Sequence, residues 1–328
     1  MESPATLRDA VIWFADFDHC REFMAQLRWP DGVVKCPHCG SDNVTWLAKA
    51  RIWKCYAKHA RPTFTLKTGT IFEDSPIPLE KWLCAAWLLI GCKNGVSSYE
   101  IHRDLGVTQK SAWFMLHRLR LAMREGGFKI GGSGKDVEAD ETFIGGRVDF
   151  MHRGSKRLKR ANTEGMWGKT VVLGLLERDG RARAAVSPTR KYYEIHQHVT
   201  ANVEPGTNLI TDEFQAYATL PKDYTHEVID KTYGYVNGKI HVNSMENFWS
   251  LLKRTLKGTY VSVDPCHLQA YVDEQVFRFN NRKDVDGNPI SDAERFTTLM
   301  KQIVGLRLTY NELTGKTPFT VVEAGMRP

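Results

Sequence analysis

The sequence has no apolar run long enough to cross a membrane. A spanning helix needs about 20 apolar residues, and the longest apolar stretch, residues 82–92, is much shorter. The first residues are acidic where a secretory signal would be basic and then apolar. Internal repeats and low-complexity tracts are also missing. These absences argue against a membrane protein or a repeat protein, and we expect a cytoplasmic chain.

The sequence also lacks a large net charge. The 45 Lys and Arg residues against 38 Asp and Glu residues give a formal net charge of +7. This charge is compatible with a polyanionic partner, but it is common in proteins that bind none. Hydrophobic residues make up 42% of the chain and charged residues 25%, a balance that excludes extensive disorder. The 328 residues suffice for two or three domains.

Cysteine occurs seven times, and without an export signal these thiols are expected to be reduced. Their spacing therefore indicates metal binding before disulfides. Two close pairs can supply the four ligands of a tetrahedral zinc ion. The alternative is a set of buried thiols and surface histidines. Gly40 argues against it, because it follows the first pair where a zinc-binding turn needs a glycine. His38 lies inside that turn and is not expected to be a ligand. We predict one structural zinc, held by Cys36, Cys39, Cys55 and His59.

A glycine-rich stretch at residues 126–135 is the clearest domain boundary. Beyond it, strand-like and helical patterns alternate: three consecutive strands, then helix, strand, helix, strand and helix. This is the order of a ribonuclease-H-like domain. The expected fold class is multidomain α+β, with five segments: an N-terminal helical segment (1–29), a zinc ribbon (30–75), a helical DNA-binding region (76–127), a ribonuclease-H-like α/β catalytic domain (128–285) and a C-terminal extension (286–328).

Residues 97–120 have the pattern of a helix-turn-helix. Ser97 and Glu100 can form a capping box at the start of one helix, Gly106 suits the turn, and Thr108 can cap the second helix. A helical hairpin in an ordinary core is the alternative, but the basic residues and the neighbouring zinc ribbon favour DNA. The residues expected to contact DNA here are Lys110, Arg118 and Arg120.

Three carboxylates occupy the elements where a ribonuclease-H-like site needs them. Asp140 lies in the first strand, Asp212 follows the fourth, and Glu246 lies in the last amphipathic helix. Divalent ions held by such carboxylates can activate a water or 3′-hydroxyl for phosphoryl transfer on DNA. A single Asp after a strand is usually structural, but three at these positions are harder to dismiss.

Several segments resemble bacterial zinc-ribbon insertion-sequence transposases that are relatives of the eukaryotic Merlin elements. The matching stretches are CPHCG, TGTIFEDSPIPLEKW, EADETFIGG, TDEFQAY, HVNSMENFWSLLKRTLKGTY and DEQVFRFNNR. The resemblance implies a DDE catalytic domain with two Mg²⁺ or Mn²⁺ ions per site, acting on terminal inverted repeats and target DNA. It also implies a homodimer or larger assembly on DNA, in the bacterial cytoplasm at the nucleoid. Asp140 and Asp212 match the family motif directly, whereas the Cys-x3-His second zinc pair departs from the commoner Cys-x2-Cys.

The identity of the third carboxylate depends on helix geometry, since the resemblance permits Glu246 or Asn247. Glu246 shares a polar face with Ser250 and Lys253, and a carboxylate is the better ligand for a hard cation. We therefore predict Glu246. Lys253 is expected to contact the DNA backbone, although a solvated lysine is an equal alternative.

The segment between the first two strands is rich in basic residues. Such clusters are usually only solvated, but beside a DNA-cutting site we expect Arg157, Lys159 and Arg160 to contact phosphates. Among the neighbouring carboxylates, strand alternation puts Glu138 on the face of Asp140 and Glu141 on the other face. Neither is included in the predicted site.

Two other functions are compatible with these patterns. A DNA-binding regulator could keep the fold and lose the chemistry, but its sequence would lack one of the carboxylates. A structure-specific nuclease would cut DNA without joining it, and only the family motifs argue against it.

Overall fold

A computed structural model describes residues 4–145, 169–229 and 243–318. Their contacts divide them into two compact units. The first combines residues 4–123 with residues 283–318, and the second consists of the described residues between 124 and 282. Along the chain, the second unit is therefore inserted into the first.

Two helices open the first unit, α1 (Leu7–Ala15) and α2 (Phe17–Arg28). Asp16 has extended backbone and its side chain caps α2, so the helical pattern of this segment is interrupted there. A three-stranded antiparallel sheet follows, with β1 (Val44–Leu47), β2 (Ile52–Cys55) and β3 (Thr63–Phe64) in that order. Trp53 and Phe64 stack on each other in its core, with ring centroids 5.8 Å apart.

Three helices complete this part of the first unit: α3 (Leu79–Gly91), α4 (Ser98–Leu105) and α5 (Gln109–Ala122). The predicted capping box is confirmed, because Ser97 and Glu100 cap α4 reciprocally. Gly106 ends α4 with a φ of 57°, a left-handed conformation that glycine adopts at little cost, and Thr108 caps α5. In the described part of the chain, no helix is both long and apolar enough to cross a membrane.

A five-stranded sheet forms the centre of the second unit. Its strands are β5 (Asp136–Ile144), β6 (Thr170–Glu177), β7 (Ala182–Ser187), β9 (Asn208–Thr211) and β10 (Thr225–Val228), in the spatial order β10-β9-β5-β6-β7. The first three strands pair antiparallel, whereas β9 is parallel to both β5 and β10. A short parallel pair, β4 (Ile130–Gly131) with β8 (Val203–Glu204), lies apart from this sheet.

Helices cover both faces of the sheet. Helix α6 (Tyr192–Asn202) connects β7 to β8 and packs on one face, while α7 (Asn243–Thr255) and α8 (Leu268–Asn280) pack on the other. Strand alternation divides β6 accordingly: Val172 and Leu176 contact the α7 side, and Leu173 and Leu175 contact the α6 side. The predicted order of three strands, helix, strand, helix, strand and helix is present except for the helix after Asp212, where the chain forms only a short 3-10 turn at Gln215–Tyr217.

The described C-terminal residues return to the first unit, with helices α9 (Asp292–Lys301) and α10 (Tyr310–Leu313). Backbone hydrogen bonds join Ile71 N–H to the carbonyl of Ile303 and Gly305 N–H to that of Gly69, each at 2.9 Å. Phe296 of α9 lies beside Phe14 of α1. Residues 283–318 are therefore part of the core of the first unit.

Candidate metal sites and DNA-binding residues

The four predicted zinc ligands come together in the first unit. Their ligand atoms all lie within 4.8 Å of one another. Cys36 and Cys39 flank a turn that continues through Gly40, whose φ is 75°. Cys55 ends β2, and His59 follows in the next loop. His38 is not part of the cluster, as predicted.

Two distances within this cluster fit a tetrahedral metal ion. Cys39 Sγ lies 3.7 Å from Cys55 Sγ, and Cys36 Sγ lies 3.6 Å from His59 Nε2. Ligands around a tetrahedral zinc ion would lie about 3.8 Å apart for two sulfurs and about 3.6 Å apart for sulfur and nitrogen. The donors and their spacing therefore suit a closed structural site.

In the second unit, the strand register brings Asp140 and Asp212 to the same place. Glu138 of β5 pairs with Ile210 of the parallel strand β9. Continuing this register by two residues puts Asp140 opposite Asp212. Both side chains are partly buried, and Asp212 Oδ1 accepts a hydrogen bond from Phe214 N–H at 3.1 Å.

Helix α7 carries Glu246 and lies against the strand of Asp140. Trp249 Nε1 donates to Asp140 Oδ2 at 2.9 Å, and Met245 N–H donates to Glu138. Glu246 itself is exposed, as is Asn247. Among the described residues, only the Cys and His cluster gathers three or more potential ligands so tightly, so Glu246 does not close on the two aspartates here.

A glycine lets α7 approach the sheet this closely. Gly174 of β6 pairs with Asp140 of β5 and faces the helix. A Cβ at this position would lie 2.5 Å from Trp249 Cζ2 and still closer to Met245 Cε. Any larger residue would therefore force the helix away from the strand that carries Asp140.

Two polar residues that the sequence analysis did not assign lie near the aspartates. Burial raises the pKa of Glu141 to about 7, with the negative charges of Asp140 and Asp212 raising it further. Tyr217 donates to Glu141 at 3.3 Å, and burial and the same carboxylates raise its pKa well above the usual value. This effect on both groups indicates a concentration of negative charge, which suits divalent cations. Strand alternation alone could not reveal it.

The predicted DNA contacts in the helix-turn-helix need correction. Lys110 is exposed, but Arg118 and Arg120 are buried at 5% and 1% exposure. Arg118 donates to the backbone carbonyls of Glu73 and Leu308, and burial lowers its pKa to about 10. Both arginines face the interior because α5 packs inside the unit, so we do not assign them to DNA.

Of the four remaining residues predicted to contact DNA, the structure describes one. Lys253 of α7 is partly buried. Arg157, Lys159 and Arg160 lie outside the described residues.

Comparisons with known proteins agree with this architecture. Residues 131–280 match the model of the ISXO2-like transposase domain, and residues 16–59 match the transposase zinc-ribbon domain. The chain is 29% identical over 244 residues to a Halobacterium salinarum protein described as an uncharacterized protein in transposable element ISH50. This alignment covers 71% of this chain and 81% of that protein.

A second relative, an uncharacterized transposase-like protein of Haemophilus influenzae, is 25% identical over 107 residues, which cover 32% of this chain and 79% of that protein. The zinc-ribbon match includes all four residues of the Cys and His cluster, and the transposase-domain match includes Asp140, Asp212 and Glu246. The chain belongs to the zinc-ribbon insertion-sequence DDE transposase family.

Proposed function

We propose that the chain cuts the ends of its insertion sequence and joins the resulting 3′-hydroxyls to target DNA. The second unit is the catalytic domain, with a ribonuclease-H-like sheet. Asp140, Asp212 and Glu246 are its metal-binding carboxylates. The substrate is the terminal inverted repeats, and the site of action is the bacterial nucleoid.

The observation that carries this proposal is the parallel pairing of β5, which contains Asp140, with β9, which ends immediately before Asp212. Extending the register of β5 and β9 by two residues would set the two carboxylates side by side, and the effect of both charges on Glu141 supports this arrangement. The hydrogen bond from Trp249 holds α7 next to them. Oxygen donors of this kind are the ligands that Mg²⁺ prefers.

The charge around the aspartates also fits divalent ions. Glu141 and Tyr217 both respond to the charges of Asp140 and Asp212, so positive charge at this point would relieve repulsion. Two Mg²⁺ or Mn²⁺ ions bound there would activate the attacking water or 3′-hydroxyl and stabilise the leaving oxygen. The chain's own contribution is to orient Asp140 through Trp249 and Asp212 through its backbone contact with Phe214.

In the first unit, we propose one structural zinc ion held by Cys36, Cys39, Cys55 and His59. The sulfur and nitrogen spacings support it, and a four-ligand site leaves no position for substrate. This zinc stabilises the small ribbon sheet, whose aromatic core is limited to a few side chains.

DNA contacts are proposed at three places. Lys110 lies exposed at the start of α5, where Thr108 caps the second helix of the helix-turn-helix. Lys253 lies on the helix of Glu246. Arg157, Lys159 and Arg160 add sequence-independent phosphate contacts. Because two transposon ends must be brought together, a homodimer or larger assembly on DNA is part of the proposal.

The test is incubation of purified protein with DNA that contains the ends of its element, scoring cleavage and joining with and without Mg²⁺. We expect both products in Mg²⁺ and neither in EDTA. Cleavage without joining would indicate a nuclease. Binding without either product would indicate a DNA-binding regulator.

A further inference from the structure

We infer that Glu138 is a positioning residue, which fixes the helix of Glu246 against the strand of Asp140. This inference rests on the proposed function, because it concerns where the third carboxylate stands. It assigns a role to a carboxylate that is fully buried and that the proposed chemistry does not use.

The surroundings of Glu138 account for its burial. Its Oε2 accepts a hydrogen bond from Met245 N–H at 2.9 Å, and its Oε1 lies 3.3 Å from Arg178 Nε. A buried carboxylate is costly unless it is paired and hydrogen-bonded. Arg178 also pairs with Asp136 at 3.2 Å, which holds the guanidinium at the start of β5.

The contact with Met245 completes the beginning of α7. The helix begins at Asn243, so Met245 N–H is one of the first donors, which have no acceptor within the helix. Glu138 supplies the acceptor from 107 residues away along the chain, and its negative charge is favourable at a helix N-terminus.

A second contact makes this attachment specific in register. Glu138 and Asp140 are two residues apart on one face of β5, about 6.7 Å along a strand. Their partners Met245 and Trp249 are four residues apart, about 6 Å along a helix. The backbone N–H of Met245 and the side-chain Nε1 of Trp249 therefore attach successive turns of the helix to two neighbouring positions on one face of the strand, and together they fix the position and rotation of α7. The position of Glu246, the next residue of the helix after Met245, is fixed by the same contacts.

The same sheet offers a matched control. Glu177 also accepts a backbone N–H, from Gly131 at 3.0 Å, and pairs with Lys135 at 2.6 Å. These contacts hold β4 and not α7. Replacing Glu177 therefore removes a similar set of interactions without loosening the helix of Glu246.

The experiment compares full-length Glu138→Ala, Glu138→Gln and Glu177→Ala with the wild type. It measures amide hydrogen exchange at the start of α7, the Mg²⁺ concentration for half-maximal cleavage, and affinity for transposon-end DNA. We expect Glu138→Ala to speed this exchange and to raise the Mg²⁺ requirement about 10-fold or more, as loss of groups supporting metal ligands does. End affinity should stay unchanged. Glu138→Gln keeps an oxygen acceptor and should restore most of both properties, and Glu177→Ala should alter neither.

Unchanged exchange in Glu138→Ala would overturn the inference, as would faster exchange with a wild-type Mg²⁺ response. If Glu138→Ala does not fold, Glu138→Asp replaces it, since it keeps the charge and shortens the reach. Glu138→Asp should show both changes to a smaller degree, and wild-type behaviour in both would overturn the inference. A wild type without Mg²⁺-dependent cleavage would instead refute the proposed function, and the exchange comparison would still decide whether Glu138 holds α7.

Discussion

The ligand cluster of the ribbon and the carboxylates of the second unit differ in how far apart their residues lie along the chain. All four ribbon ligands fall within residues 36–59 and meet around one short sheet. Asp140, Asp212 and Glu246 come from a strand, a strand end and a helix, so their relative positions depend on strand pairing and helix packing between residues far apart along the chain. The first site is closed by local turns, whereas the second depends on the whole unit.

Charge separates the two sites as well. Thiolate and imidazole ligands arranged at tetrahedral spacing form a site that metal binding stabilises. The carboxylates instead repel one another: burial is the main cause of the raised pKa of Glu141, and the negative charges of Asp140 and Asp212 raise this pKa further. We therefore expect substitutions in the ribbon to lower stability, and substitutions of the aspartates to remove activity while leaving stability intact.

The largest effect is expected for Asp140→Asn and Asp212→Asn. Either change removes a charged ligand for divalent ions, so cleavage and joining should fall by about 1000-fold or more. Thermal stability should be unchanged or higher, because a repulsive charge near Glu141 is lost. Gel assays and thermal melts test this. A loss of end binding as large as the loss of cleavage would show that the aspartates are structural.

The next effect distinguishes Glu246 from its neighbour. Glu246→Gln should abolish Mg²⁺-dependent strand transfer, because the amide cannot replace a charged ligand. Asn247→Ala should retain most activity. Strand-transfer assays on both variants decide the assignment, which would be wrong by one residue if Glu246→Gln stays active and Asn247→Ala is dead.

In the ribbon, Cys39→Ser should release zinc and lower the melting temperature of the first unit. A structural zinc site contributes several kcal/mol or more to its small domain (about 10 kcal/mol in zinc-finger peptides). The second unit should melt as in the wild type, since none of the four ligands belongs to it. Elemental analysis should find about one zinc per wild-type chain, and a folded, untreated sample without zinc would contradict this.

A smaller effect on stability is expected for Arg118→Met. The substitution leaves the carbonyls of Glu73 and Leu308 without their donor and should cost about 2 kcal/mol of unfolding free energy. Lys110→Met serves as the control, since Lys110 is exposed, and should weaken DNA binding with little loss of stability. In denaturant melts Arg118→Met should be the less stable variant, whereas in DNA titrations Lys110→Met should have the lower affinity. If one variant were the weaker in both assays, the division between a structural Arg118 and a DNA-binding Lys110 would be wrong.

The smallest effect concerns the basic residues in the sequence between β5 and β6. Replacing Arg157, Lys159 and Arg160 by Gln in one variant should flatten the salt dependence of DNA affinity. Fewer phosphates are then neutralised, so binding releases fewer counterions. Titrations at several salt concentrations measure the slope. An unchanged slope would mean that the segment is only solvated.

Much of the fold could be predicted from sequence because its signals are local. The capping box of Ser97 and Glu100, the turn at Gly106 and the four ribbon ligands depend on residues close together in the chain, and the structure contains each of them. The strands of the second unit followed from runs of apolar residues, such as the continuous run in β6.

What the sequence could not reveal depends on partners far along the chain. Arg118 and Arg120 have the charge of DNA-binding residues, and nothing nearby indicates that Leu308 supplies a carbonyl to one of them. Glu138 was correctly expected on the face of Asp140, but its contact with Met245 depends on the docking of α7. Gly174 likewise acquires its importance only once the helix lies across it.

The insertion of the second unit into the first has a consequence for synthesis on the ribosome. All segments of the second unit emerge before residues 283–318, so it can fold while the chain is still being made. The first unit cannot finish, because Ile71 and Gly69 await partners from Ile303 and Gly305, and Arg118 awaits Leu308. A nascent chain can therefore form the sheet of the second unit before the first unit, which begins earlier in the sequence, is complete.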